Sequence, residues 1–439
     1  MALTDEQKII HFLSRASFGP TAAEIERVKA KGIPAYLEEQ LEPEAIPDPI
    51  AEEKLKDLKT LNLRGEELLE LYPPQQQAQA KGMTPAPEQS PRNVILELQR
   101  AKLLRAVYSA RQLQEVLVDF WLNHFNVFAA KGVDRWLVTE YERDTIRPRA
   151  LGRFRDLLLA TAQSPAMLFY LDNWLSASPD APANRLRNSN AAFRKAGLNE
   201  NYARELMELH TLGVNGGYSQ KDVGEVARCF TGWTIRQPRG RPEFIFDSRM
   251  HDRREKTVLG SAIAAGGGME DGIKVIDLLA GHPSTASFIA TKLVRRFVRD
   301  DPPAGLVPRI AEVFRQSGGD IRAILRAIFA AQEFFSPETV GVKMKKPLEL
   351  VASALRTAGG ETDAAPPILR HLAGMGEPLF LSVPPTGFPD VSSTWSSPDM
   401  LLARINFAVD LTTNRIRGTR IRPGGISALA LAAPEFQQR

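Results

Sequence analysis

The stretch 199–218, NENYARELMELHTLGVNGGY, sets Asn199, Asn201, Arg204, Glu205, Glu208 and His210 among apolar residues. At about 100° per residue, Asn201, Arg204, Glu205 and Glu208 share one stripe of a helix. His210 falls on the side of Ala203, Leu206 and Met207. Two carboxylates at i,i+3 can meet a divalent ion or share acid/base work, so Glu205 and Glu208 are candidate catalytic groups and metal ligands. On this geometry His210 cannot join them from one unbroken helix, and any imidazole partner must come from another element. The competing reading is a solvated face with Arg204 paired to Glu208 at i,i+4, worth a few tenths of a kcal/mol.

Similar groups recur along the chain. Glu115, Asp119, Asn123 and Asn126 form one helical stripe, while His124 lies with Leu117, Phe120 and Trp121 on the apolar side. A histidine on an apolar face is more often a hydrogen-bonded core residue than a ligand. Asp172 and Asn173 end an apolar run in FYLDNWLS, where a carboxylate can cap a helix or face a pocket. His251 follows an expected strand, with Asp252 and Lys256 close by. His282 precedes Pro283 at a helix start, where capping or packing is the expected role.

Other chemistries lack their motifs. The chain has no His-Glu-x-x-His, no Gly-x-Ser-x-Gly, no Walker loop and no dinucleotide fingerprint. Gly266–Gly268 follow no strand and read as a flexible turn. A single cysteine, Cys229, excludes an intramolecular disulfide or a Cys-based zinc site. A net charge of +4 over 439 residues is too dilute for a nucleic-acid stripe, and the basic cluster at 416–425 reads as a solvated loop. No apolar run approaches a membrane span and no secretory signal is visible, which points to the cytoplasm.

Helices must carry these residues. Thr21 with Glu24 forms a capping box, and Ser219 with Asp222 opens a second capped helix. The apolar spacing over 93–128 predicts one long helix or two joined near Ser109; helices are also expected over 282–298, 320–335 and from Pro347. Strand signals cluster in 233–260 as a small antiparallel hairpin set. The expected fold is mainly α: N-terminal helices over 1–71, a linker-like loop over 72–92, a helical core over 93–360 and a C-terminal region over 361–439, within one unit spanning 1–439. Loops are expected over 72–91, 176–190 and 262–272. PPTGFPDVSSTWSSP is too rich in Pro and Ser for regular structure, yet its Phe388 and Trp395 predict that it packs on the domain.

These segments together resemble a bacterial family known only as domain of unknown function 1800. The resemblance rests on HFLSRASFGPT, FWLNHFNVF, YLDN, the long run from NENYARELMELH to CFTGWTI, HDRREKTVLG, HPSTASFIATKLVRRFV, KKPLELVASALRTAG and PPTGFPDVSSTWSSPDMLLARINFA. It covers nearly the whole chain and brings no activity with it. Genes of the family often neighbour those of exported proteins resembling alkaline phosphatases and sulfatases, which implies such a partner and leaves an envelope association open. It also weights the polar motif positions, since five of the six histidines, His11, His124, His210, His251 and His282, fall inside motif segments.

The functional expectation is an enzyme, a metal-assisted hydrolase acting on a polar or anionic substrate. Glu205, Glu208, His124 and Asp172 would be catalytic; Glu205, Glu208 and His251 would hold a divalent metal; Arg204, Asn201, Lys256 and Trp233 would bind substrate. The alternative is a non-catalytic helical scaffold in which the same polar groups form a buried structural network.

Overall fold

A computed structural model describes residues 3–74, 78, 82, 86–181, 197–422 and 425–439. The expected loops over 72–91 and 176–190, and the end of the basic cluster at 423–424, lie partly outside these residues. Helices dominate, and the described strands form three two-stranded antiparallel sheets. The main apolar core runs from Ile9 to Leu431, with Ala177, Ala181 and Met250 as a small satellite.

The capping signals work as the sequence indicates. Helix α1 (Asp5–Ala16) starts at a Thr4/Gln7 capping box, and the helix Ala22–Lys31 starts at Thr21/Glu24. The run 93–128 is two helices, α2 (Pro91–Tyr108) and α3 (Gln112–His124), broken at Ser109. Every residue of α3 except Asn123 is buried, including Gln112, Gln114, Glu115 and Asp119. A helix enclosed on all sides must find partners for its charges, because an unpaired buried carboxylate costs several kcal/mol. Arg147 holds Glu115 at 2.6 Å, and Lys102 and Lys346 hold Asp119 at 2.7 and 2.8 Å.

The motif that suggested a helix over 199–211 changes pitch midway. Asn199 caps α4 (Glu200–Glu205), and residues Leu206–Thr211 continue as a π-helix. The Leu212 amide donates to the Met207 carbonyl at 2.7 Å, a five-residue step. The wider turn alters the angular positions that 100° spacing gives, and π turns inside helices often mark functional sites.

Helix α5 (Gln220–Cys229) opens at the Ser219/Asp222 box. Beyond it, Trp233–Gln237 pairs with Arg241–Phe246, and Lys256–Val258 with Ser261–Ile263, as antiparallel hairpins. The turn at 266–268 is built rather than loose: a Cβ on Gly267 would lie 1.9 Å from an Asp271 carboxylate oxygen. Helices α6 (Glu270–Gly281) and α7 (Pro283–Phe297) follow, and the His282 imidazole caps α7 by accepting from the Ser284 amide at 3.1 Å. Phe288, Lys292, Arg295 and Arg296 share one side of α7, and the two arginines in its last turn suit the negative end of the helix dipole. Helix α8 (Pro347–Thr357) has Pro347 at its first turn.

The Pro-rich segment after 380 packs down, as its aromatics suggested. The Asn123 side chain mimics a strand residue, donating to the Phe388 carbonyl at 2.8 Å and accepting from the Phe388 amide at 2.7 Å. Asn126 donates to the carbonyls of Ser382 and Pro384, and Trp395 is buried. Gly387 has φ +70°, and a Cβ there would lie 2.3 Å from the Asn123 carbonyl oxygen. Only glycine lets the strap lie so close to α3.

Candidate functional site: a cationic pocket around His124

Between α3, α7 and the strap lies a pocket of about 220 Å³. Its walls carry His124 and Asn123 from α3, Lys292, Arg295 and Arg296 from α7, Lys346 before α8, and Thr386, Phe388 and Asp390 from the strap. Lys292, Arg295, Arg296 and Lys346 face a single acid, Asp390. Part of this charge is already matched. Lys346 pairs with Asp119 at 2.8 Å, and Arg296 meets Glu349 through Nη1. Arg295 donates through Nε to the Asp300 carbonyl at 3.0 Å. Asp390 leans toward Lys343 at 3.4 Å.

Part of the wall is unmatched. Arg296 is 1% exposed, yet its Nε and Nη2 have no hydrogen-bond partner. The Lys292 ammonium lies 5.4 Å from the Phe288 ring, and no ion pair or hydrogen bond neutralises it among the described residues. Burial, with Arg295 nearby, pulls Lys292 down from 10.5 to about 8 against the opposing pull of Asp390. A buried guanidinium with open donors and a half-buried free ammonium are costly in isolation and are relieved by an anion.

His124 adds a directed lone pair. Its Nε2 lies 3.1 Å from the His210 carbonyl oxygen, which can only accept, so Nε2 carries the proton. Nδ1 is then unprotonated, and it is buried without a partner. Burial, reinforced by Lys292, holds His124 well below the ordinary histidine range, so it is neutral at physiological pH. The same carbonyl shows why the π turn matters here: it sits within Leu206–Thr211, beside the pocket histidine. His210 itself is buried against the Phe125 ring at 5.1 Å and is lowered to about 3 by burial.

Of the side chains expected to converge, His124 is the one that lines this pocket. Glu205 and Glu208 are half-buried neighbours on another face of the motif; burial and Glu208 raise the Glu205 carboxyl. The expected Arg204–Glu208 pair does not form. Arg204 donates to Gln220 at 2.6 Å, and Glu208 accepts from the Tyr218 hydroxyl at 3.0 Å, because the pitch changes between them. Asn201 is exposed. Asp172 sits in left-handed backbone, φ 59°, with Lys131 at 2.9 Å. Trp233 is fully buried, its ring against Gly272 and Phe230, and offers no surface to a substrate.

His251 and Lys256 belong to a sealed knot. Asp271 takes His251 Nε2 at 3.1 Å and Lys256 Nζ at 2.6 Å, and all three side chains are at most 1% exposed. His251 Nδ1 meets the Thr231 carbonyl at 2.8 Å, so both ring nitrogens are engaged. The knot ties the second hairpin to α6. Among the described residues no group of three or more His, Cys, Asp or Glu side chains is arranged to hold a metal ion. No described helix is long and apolar enough to cross a membrane.

Lys292, Arg295, Arg296, Lys346 and Asp390 went unnoticed as site residues in the sequence. The available signal was a basic triplet at i, i+3, i+4 on the buried face of an amphipathic helix, together with a Pro-rich segment that has to pack somewhere.

Fold and pocket together define a mainly helical protein with a cation-lined pocket between α3, α7 and the strap. Residues 11–437 match the family model described as a protein of unknown function, DUF1800, and the chain belongs to that family. No curated protein and no solved structure matches it.

Proposed function

We propose that the protein is an enzyme that binds the anionic group of a small polar substrate in the His124 pocket. The observation that carries this reading is the imbalance at the pocket wall: Lys292, Arg295, Arg296 and Lys346 against Asp390, with donors of Arg296 unused. Arg296 offers a planar fork for a phosphate, sulfate or carboxylate, and Lys292 a mobile point charge. His124 Nδ1 and Lys292 are the groups able to take or give a proton beside the bound anion. The donor set is rich in N–H and poor in oxygen, so it fits an anion and does not fit a divalent cation. A volume of about 220 Å³ suits a small molecule or the end of a chain.

The hydrolytic chemistry expected from the sequence stays within this proposal, with the anion rather than a metal as its anchor. A partner of the alkaline phosphatase and sulfatase type also belongs to it, because such proteins handle esters of tetrahedral anions. The scaffold reading has its own support in the sealed ion pairs of Glu115, Asp119 and Asp271. It accounts for those residues and leaves the open donors unexplained.

Isothermal titration with inorganic phosphate, sulfate and acetate tests the reading. Binding of at least one anion at one site per chain, lost in Arg295→Gln and Lys292→Met variants that remain folded, is the expected result. Equal, weak heats in wild type and both variants would leave the scaffold reading standing.

A further inference from the structure

Among the described residues, two lysines are drawn well below the ordinary amine value, and their surroundings differ. Lys345 is buried, which lowers it to about 7, and the Phe436 ring covers its ammonium at 3.8 Å. Lys292 opens into the pocket, has no hydrogen-bond or ion-pair partner among the described residues, and shares the Phe288 ring with His124, whose ring lies 6.2 Å from it. An amine among other cations, partly stripped of water and free of a partner, is the arrangement that activates a lysine as a nucleophile.

We infer that Lys292 forms an imine with carbonyl compounds that also carry an anionic group, the anion seated on Arg295 and Arg296. The inference rests on the anionic-substrate reading above. The Lys292 Nζ lone pair attacks the carbonyl carbon, and the C=O π pair moves to oxygen as the C–N bond forms. A proton passes from nitrogen to that oxygen. The nitrogen lone pair then closes the C=N bond as the C–O bond breaks, and the departing hydroxide takes the remaining N–H proton and leaves as water. Amine plus carbonyl gives imine plus water, with no oxidant or reductant. The apolar wall of Phe120 and Phe388 takes the carbon skeleton and slows hydrolysis back to the amine.

Pyridoxal 5′-phosphate, an aldehyde bearing a phosphate, is the probe. The full chain is incubated with it, reduced with borohydride to fix any imine, and mapped by peptide mass spectrometry. The expected result is labelling of Lys292 before any other lysine, suppressed by excess inorganic phosphate and lost in Lys292→Arg, which keeps the charge. Lys345 stays unlabelled, being walled in. Phosphate binding in wild type without labelling at Lys292, or labelling no faster than at surface lysines, would overturn the inference while leaving the anion reading intact. Absence of phosphate binding in wild type would defeat both.

Discussion

The pocket at His124 and the knot at His251 are built from the same residue types and differ in their stoichiometry. Each has a histidine, a lysine and an aspartate, and all but Asp271 come from motif segments. In the knot, Asp271 Oδ2 meets both His251 and Lys256 and solvent is excluded, and the atom left over is an acceptor, Asp271 Oδ1. In the pocket, cations outnumber acids, a histidine nitrogen and guanidinium donors are unused, and there is room for a guest. The density of ionisable groups in a motif therefore does not separate structure from function. The balance of donors against acceptors, together with space, does.

That contrast breaks most easily at the knot. Asp271→Ala leaves Lys256 and His251 buried without their carboxylate, and a loss of about 3–5 kcal/mol is expected in urea unfolding. A loss below 1 kcal/mol would show that the knot is not the closed structural unit described. At the strap, Gly387→Ala puts a methyl against the Asn123 carbonyl in a backbone region that disfavours side chains. An expected cost of about 1–3 kcal/mol, with weakened phosphate binding, checks that the strap forms the pocket wall. Asn123→Ala removes the two-way pairing with Phe388, for about 1–2 kcal/mol.

The smallest stability effect, and the sharpest contrast, belongs to Lys292→Met. Removing an unpaired, half-buried cation leaves anion-free stability unchanged or raised, the reverse of Asp271→Ala, while anion affinity falls. The pH dependence carries the same sign. Lys292 titrates at about 8 in the fold and at 10.5 when free, so the fold penalises its charged form. That penalty is present in full below pH 8, and anion-free stability rises as pH climbs from 8 toward 10.5. Anion binding moves the opposite way: it needs the charged amine, weakens above pH 8 and takes up protons there. Both slopes are expected to vanish in Lys292→Met; slopes that persist would assign them to another group.

Much of the scaffold was legible in the sequence. The Thr21/Glu24 and Ser219/Asp222 boxes, the break at Ser109, the cap at His282 and the hairpins after Trp233 all follow from local chemistry acting within a few residues. His124 also behaves as expected of a core histidine, hydrogen-bonded and neutral. The pocket was not legible, because its wall joins position 124 to 292, 346 and 390, and no local periodicity reports which helices face one another. The angular reading of 199–211 holds for His210, which is buried with Ala203, Leu206 and Met207. It does not hold for the Arg204–Glu208 pair, because the π turn widens the helix after Glu205 and regular spacing cannot anticipate it. Glu205 and Glu208 drew attention by adjacency in sequence, whereas Lys292, Arg295 and Arg296 looked like the polar edge of an ordinary helix.

The most direct test of the central claim is to locate an anion. A crystal of the full chain soaked in selenate, with selenium found by anomalous scattering, reports position without assuming chemistry. A selenium peak is expected within hydrogen-bond reach of Arg296 Nη2 and Lys292 Nζ, absent in the Lys292→Met protein. Peaks confined to surface lysines and arginines, with ordered water filling the pocket, would contradict it.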